Sequence, residues 1–274
     1  MPFISAADGT QLHWREWGQG EPLLFLNGLG CASDMWDYQM TAFADQGYRC
    51  IGFDRRGHGR SDRPGHGYHF DSFADDIAAL IEQLDLSGLT LVTHSMGGGE
   101  AVRYVSRHGS ARVARMVLVG TTTPKLLQAD DNPSGLPREA FDALWSQWKR
   151  DYPRWVAEST PPFFVPETSQ AMMNWIGTVL QAPLPIALAC SRALAAEDFR
   201  VDMRRVDIPT LFIHGDRDHS APLELTAQPS AALVPKSRLR IYPGAPHGLM
   251  YTHMDRLHAD IFDFLRETEV VGAP

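Results

Sequence analysis

Two rhythms alternate along the chain. Residues 22–26, 48–53, 89–93, 115–120 and 210–214 are short, nearly unbroken apolar runs, the pattern of parallel strands buried on both faces. Residues 237–242 supply one more strand of similar length. At the start, residues 3–5 and 12–17 flank Asp8-Gly9, a strong turn pair, and read as a hairpin. Between the strands the period lengthens. Phe73, Ile77, Leu80, Ile81 and Leu84 recur at helical spacing, as do Leu257, Ile261, Phe262, Phe264 and Leu265 near the end. A further helix is expected to run from a cap at Asp34 to about Gln46. Strand and helix in this alternation predict an α/β architecture. It is a mostly parallel eight-stranded sheet with right-handed crossovers and helices on both faces.

The rhythm breaks after Thr121. Residues 125–208 hold no apolar strand run; prolines punctuate helical pieces at 138–152, 168–180 and 186–196. The chain therefore divides into a first core part (1–124), a helical cap (125–208) and a second core part (209–274). Four of the seven tryptophans, Trp145, Trp148, Trp155 and Trp175, fall in the cap. They serve either as the cap's own core or as the wall of a cleft between the two units, a favoured place for a ligand. On the second reading Trp145, Trp148, Phe163, Phe164 and Trp175 line an apolar substrate pocket.

Ligands of a parallel sheet sit at the carboxyl ends of its strands, and the reactive side chains fall there. The run 89–93 leads into His94-Ser95-Met96-Gly97-Gly98-Gly99 and then a helical pattern to about His108. A serine on a sharp strand-to-helix turn presents its hydroxyl above the sheet, and the following N–H, that of Met96, points at the same spot. The usual spacing is G-x-S-x-G; here Thr93 replaces the first glycine. A serine needs a base, and the base an orienting carboxylate. Asp218, after the strand ending at His214, and His247, after the last strand, complete the order Ser…Asp…His. Asp216 is the nearest rival acid and is expected to bond within its turn. Asp54 precedes the serine and is expected to brace its own Gly-rich loop beside Arg55 or Arg56. His94 reads as packing, His219 lies too near the acid, and His253 and His258 belong with the last helix. The second oxyanion donor is expected from the loop after Leu26, with Leu29 as the donor and Asn27-Gly28 shaping the turn.

Composition narrows the use of this machinery. Net charge is −8 and the basic residues are scattered in short clusters without interleaved aromatics, which argues against nucleic acid. No apolar run is long enough to cross a bilayer, and Met1-Pro2-Phe3-Ile4-Ser5 lacks the regions of a signal peptide. Cys31, Cys50 and Cys190 are dispersed without CxxC spacing, as expected in a reducing, cytoplasmic setting. His66 and His69 alone fall short of a zinc site, and no GxGxxG or Walker lysine is present. No metal or cofactor is expected, and a homo-oligomer is left open.

Several stretches carry a resemblance to a known family. Residues 94–100 with 103–109, 34–40, 54–61 and 214–218 resemble the bacterial cofactor-free (non-haem) haloperoxidases and their arylesterase relatives. The resemblance implies an α/β-hydrolase fold with an inserted cap and a Ser95–His247–Asp218 triad without metal or haem. It also implies hydrolysis of carboxylic esters through an acyl-enzyme, with peracid formation as a side activity from which halogenation follows. In that family an aromatic residue follows His-Gly in the oxyanion loop, often before proline; this chain has Asn27-Gly28-Leu29-Gly30. Leucine there opens the acyl side of the pocket to larger acyl groups or lactones. A small-molecule ester or lactone is the expected partner. Carbon–carbon bond hydrolysis or lactone hydrolysis with the same residues, or a silent ligand-binding protein of this fold, are the alternatives.

Overall fold

The computed structural model describes residues 2–180 and 182–269. Its sheet is built from β1 (Phe3–Ser5), β2 (Gln11–Trp17), β3 (Glu21–Leu26), β4 (Tyr48–Phe53), β5 (Leu89–His94), β6 (Val113–Val119), β7 (Thr210–Gly215) and β8 (Ser237–Tyr242). They lie in the order β1-β2-β4-β3-β5-β6-β7-β8. The hairpin pairs antiparallel to the sheet edge at β4, and every pairing from β4 to β8 is parallel. β5 and β7 are buried along their whole length, which is why they read as continuous apolar runs. The eight-stranded, mostly parallel sheet is as the sequence pattern predicts.

Helices α1 (Asp37–Ala44), α2 (Phe70–Gln83), α3 (Met96–His108), α8 (Ala227–Leu233) and, after the single turn α9 (Leu249–Thr252), α10 (Met254–Glu269) cover the two faces. One apolar cluster joins β-strand side chains to α2 and α3, and a second joins the opposite face to α1 and α10. No helix among the described residues is long and apolar enough to cross a membrane.

The expected Asp34 cap is corrected by the structure. A 3-10 turn, Ser33–Trp36, comes first, and α1 starts only at Asp37. The Asp34 carboxylate is engaged by Arg60 at 3.2 Å and Arg15 at 3.6 Å, so it caps nothing.

Between β6 and β7 the chain is helical: α4 (Arg138–Ser159), α5 (Gln170–Val179), α6 (Leu184–Ala196) and α7 (Arg200–Arg204). α4 continues past the expected end at residue 152 after a kink at Asp151. Pro153 cannot donate within a helix, and the Asp151 carboxylate accepts the Arg154 N–H at 3.0 Å, restarting the helix as a cap would.

A close backbone approach lies where α3 leaves β5. A Cβ built on Gly97 would sit 2.8 Å from the Leu26 carbonyl and 3.0 Å from that of Asn27. Gly97→Ala must therefore push β3 and α3 apart, and a loss of about 1–3 kcal/mol in urea unfolding is expected. Unchanged stability would contradict the contact.

Candidate active site

Ser95 sits between β5 and α3 with φ 54° and ψ −120°, a left-handed conformation for a residue with a Cβ. Such strain persists only where surroundings over-determine it, and it clusters at functional sites. The Ser95 N–H donates to the Val119 carbonyl of β6 at 3.0 Å. Thr93, the departure from the usual glycine, is fully buried, and its hydroxyl donates to the Val117 carbonyl at 3.3 Å. The β-branch is accommodated between β5 and β6.

His247 reaches the same place from the loop after β8. Its ring centroid lies 4.5 Å from that of His94, the residue before the serine. Its Nδ1 is 2.6 Å from Asp218 Oδ2. A carboxylate only accepts, so Nδ1 carries the hydrogen and Nε2 is left as an acceptor. Ser95, Asp218 and His247 are 8, 4 and 6% exposed, respectively. Among the described residues neither the Ser95 hydroxyl nor His247 Nε2 has a hydrogen-bond partner.

Asp218 is ionised by its surroundings. Burial alone would raise its pKa, but the charge of His247 and hydrogen bonds from His214 and His247 outweigh it and hold the carboxyl well below the usual range. Asp216, the rival acid, points elsewhere: its carboxylate accepts the Gly244 N–H at 2.6 Å, bracing the loop that leads to His247 rather than its own turn.

The loop from Asn27 to Gly30 faces the serine from β3. Asn27 Nδ2 donates to the Phe53 carbonyl at 2.8 Å. Arg55 donates to the carbonyls of Asn27 (2.6 Å) and Gly28 (3.2 Å) and pairs through Nε with Glu100 on α3. Arg55 and Glu100 are 2 and 1% exposed. Burial works against the Arg55 cation, and the adjacent Glu100 carboxylate outweighs that, raising its pKa. One guanidinium thus fastens this loop to the helix that carries the serine. The Gly30 N–H donates to His58 Nε2 at 3.2 Å, and His58 Nδ1 reaches the Arg56 carbonyl at 3.0 Å. With the carbonyls of the loop drawn inward, the Leu29 N–H has no acceptor among the described residues. Met96, first residue of α3, has none within the helix. Two backbone amides at the candidate site, those of Leu29 and Met96, thus lack an acceptor of this kind.

His94 does more than pack. Its Nε2 donates to the His247 carbonyl at 3.1 Å while Nδ1 is buried without a partner, and burial next to His247 holds its pKa far below the ordinary value. A Cβ on Gly28 would meet that Nδ1 at 2.8 Å, so glycine is needed there. Asp54 braces its loop as expected, through the N–H groups of Ser33 (2.6 Å) and Arg60 (3.0 Å). Neither neighbouring arginine is its partner: Arg56 turns the other way, onto Asp76 and Asp8. Arg55–Glu100, His58 and His214 were not anticipated as supports of the site.

The five pocket aromatics are spread over three layers. Phe163 stands edge-on to His247 at 5.6 Å, and its carbonyl accepts the Gly248 N–H at 2.9 Å. Phe164 and Trp175 pack one step further out, on Tyr251 at 6.0 and 5.7 Å. Trp145 donates to Ser191 at 3.0 Å, and Trp148 packs at a tilt against Tyr152 and Trp155. These last two form the insertion's own core, against which the Leu29 side chain packs.

Known proteins share this architecture. A model of the alpha/beta hydrolase fold family matches residues 21–185. A non-heme haloperoxidase from Rhodococcus erythropolis is 38% identical, over 97% of this chain and 99% of its own. A bifunctional esterase/perhydrolase from Acinetobacter calcoaceticus is 32% identical, over 97% of this chain and 100% of its own. The solved structure of an esterase from Exiguobacterium antarcticum superposes with a TM-score of 0.93 at 31% identity, covering 96% of this chain and 98% of that one.

The His58 environment makes a measurable demand. Burial, with the Arg55 charge alongside, pushes its pKa down from 6.5 to about 3. Between those values the unfolded chain binds a proton at this ring that the folded chain does not. Stability therefore falls as pH falls, by ~1.4 kcal/mol per pH unit at this site. His58→Gln, which keeps an acceptor for Gly30, is expected to flatten the fall in urea-unfolding free energy between about pH 6 and about pH 4.5. Equal slopes in both proteins would contradict it.

Proposed function

The chain belongs to the α/β-hydrolase fold family, and we propose that within it this protein is a serine esterase acting on apolar or aryl carboxylic esters through an acyl-enzyme. The observation that carries the reading is the Asp218–His247 hydrogen bond, 2.6 Å long, beside a serine whose backbone is turned to positive φ. Ser95 Oγ attacks the ester carbonyl as His247 Nε2 takes its proton. Asp218 holds the tautomer and supports the imidazolium. The N–H groups of Leu29 and Met96 receive the oxyanion. His247 then gives the proton to the departing alcohol. Water, deprotonated by the same ring, releases the acid and restores Ser95. The chemistry needs no metal or cofactor.

On this reading residues 125–208 act as a cap, with Phe163 sealing His247. The esterase/perhydrolase relative supports a side activity: hydrogen peroxide replaces water in the second step and the acyl group leaves as a peracid. The half-buried Leu29 side chain, packed on the cap core, favours larger acyl groups, lactones among them.

Ser95→Ala is expected to lower turnover of p-nitrophenyl butyrate at least about a thousandfold; undiminished turnover would refute the role of Ser95. The charges nearest the oxyanion loop, Arg55 and Glu100, neutralise one another, and Phe163 and Leu29 are apolar. In a panel of acyl esters, kcat/KM for butyrate is therefore expected to exceed that for a hemisuccinate by about tenfold or more, because the extra carboxylate must lose water without a partner. A preference for the charged ester would contradict the apolar pocket.

A further inference from the structure

Asp218 is held by two imidazoles, and acyl transfer accounts for only one of them. Its Oδ1 accepts the N–H groups of Ser220 at 2.9 Å and Ala221 at 2.8 Å. Its Oδ2 accepts His247 Nδ1 at 2.6 Å and also lies 3.3 Å from Nε2 of His214. His214 is the penultimate residue of β7 and is fully buried. Its Nε2 faces the Ala221 carbonyl at 2.7 Å as well. A carbonyl only accepts, so Nε2 carries the hydrogen and donates it to Ala221, while Asp218 Oδ2 lies 3.3 Å from the same nitrogen and feels its N–H dipole. The opposite nitrogen, Nδ1, has no partner. This ring is held by the edge that touches the acid and by nothing polar elsewhere.

We propose that His214 is a positioning residue of the reaction, whose Nε2–H fixes the Asp218 carboxylate and takes up part of its charge, so setting how strongly Asp218 supports a proton on His247. The proposal rests on the acyl-transfer reading above. Two backbone donors on one oxygen, the His247 donor on the other and the His214 N–H close beside it leave the carboxylate little freedom to turn. Rotation of the group then breaks several charge-assisted hydrogen bonds at once. The same neighbours make Asp218 a weaker base, so the Nδ1 hydrogen stays on His247 rather than passing to the acid. The titratable groups facing this carboxylate are His214 from β7 and His247 from the loop after β8. His94 of β5 stands behind His247, and Asp216 is turned away onto Gly244.

Three variants separate positioning from packing. His214→Leu removes the donor and keeps bulk. His214→Phe, nearer the ring in shape, carries the same comparison if the leucine variant does not fold. His214→Gln keeps an amide N–H that reaches the position of Nε2. The readouts are kcat and KM for p-nitrophenyl butyrate across pH, the low-field proton resonance of the His247 Nδ1–H, and the free energy of unfolding in urea. Loss of a hydrogen bond to a charged group predicts a fall of about 10- to 100-fold in kcat for the leucine variant, with KM little changed. With more charge left on Oδ2 the proton is held more firmly on His247, so the acid limb of the rate profile moves to higher pH and the low-field resonance shifts. His214→Gln is expected to recover most of both. The proposal is overturned if the limb and the resonance stay put while only unfolding free energy falls, or if glutamine is no better than leucine. Should the wild-type protein turn over no ester, the acyl-transfer reading fails. The resonance would still report whether His214 acts on the Asp218–His247 pair.

Discussion

A serine held at φ 54° between a strand and a helix is the constraint that organises this molecule. That backbone costs on the order of 1–3 kcal/mol, and it persists because neighbouring elements leave it no alternative. β6 takes its N–H, Gly97 lets α3 pass against the carbonyls of Leu26 and Asn27, and the His94 ring fills the space beside Gly28. The same contacts that hold the serine also bring the loop of residues 27–30 up to it. The geometry of the candidate site and the stability of the fold are here one set of contacts.

The buried Arg55–Glu100 pair shows how charge serves that purpose. Taking two ions out of water is expensive, and such a pair gains little over well-packed apolar residues. What the pair supplies is direction. The guanidinium fork binds two successive carbonyls of the oxyanion loop while its third nitrogen is tied to α3. Apolar side chains could fill that volume without turning the Asn27 and Gly28 carbonyls inward and leaving the Leu29 N–H unpaired. Histidines play a parallel part around the base. His94 holds the main chain of His247, and Asp218, itself touched by His214, holds its ring.

Much of this was legible in the chain, and the misses share a cause. The central strands declare themselves because burial on both faces leaves no polar position to interrupt them. Ser95, Asp218 and His247 stand out because each follows a strand at the same edge of the sheet. The expected Asp34 cap failed because a carboxylate suited to capping is equally suited to an arginine distant in sequence, here Arg60 and Arg15. Arg55 and Arg56 are neighbours with identical side chains, yet the turn that follows β4 sends them to opposite partners. Nothing local foretells that Glu100, on the far side of the serine, completes the first. Trp145 and Trp148 carry the same composition signal as Phe163, but only Phe163 reaches the base. Which aromatic faces a site and which fills a core depends on helix rotation, and the kink at Asp151 resets it midway along α4.

The insertion bears on the machinery at two points. The Phe163 carbonyl holds Gly248, next to the base, and the chain around Val179 and Ala182 exchanges backbone hydrogen bonds with Ala32 and Gly30, beside the oxyanion loop. The helical segment between β6 and β7 is thereby tied to the loops that hold Leu29 and His247. The most direct test of the central claim is a crystal structure of the protein after reaction with a fluorophosphonate. The account requires a single adduct, on Ser95, with the phosphonyl oxygen about 2.7–3.1 Å from the N–H groups of both Leu29 and Met96. An adduct on another side chain, or an oxygen turned away from those two amides, would contradict it.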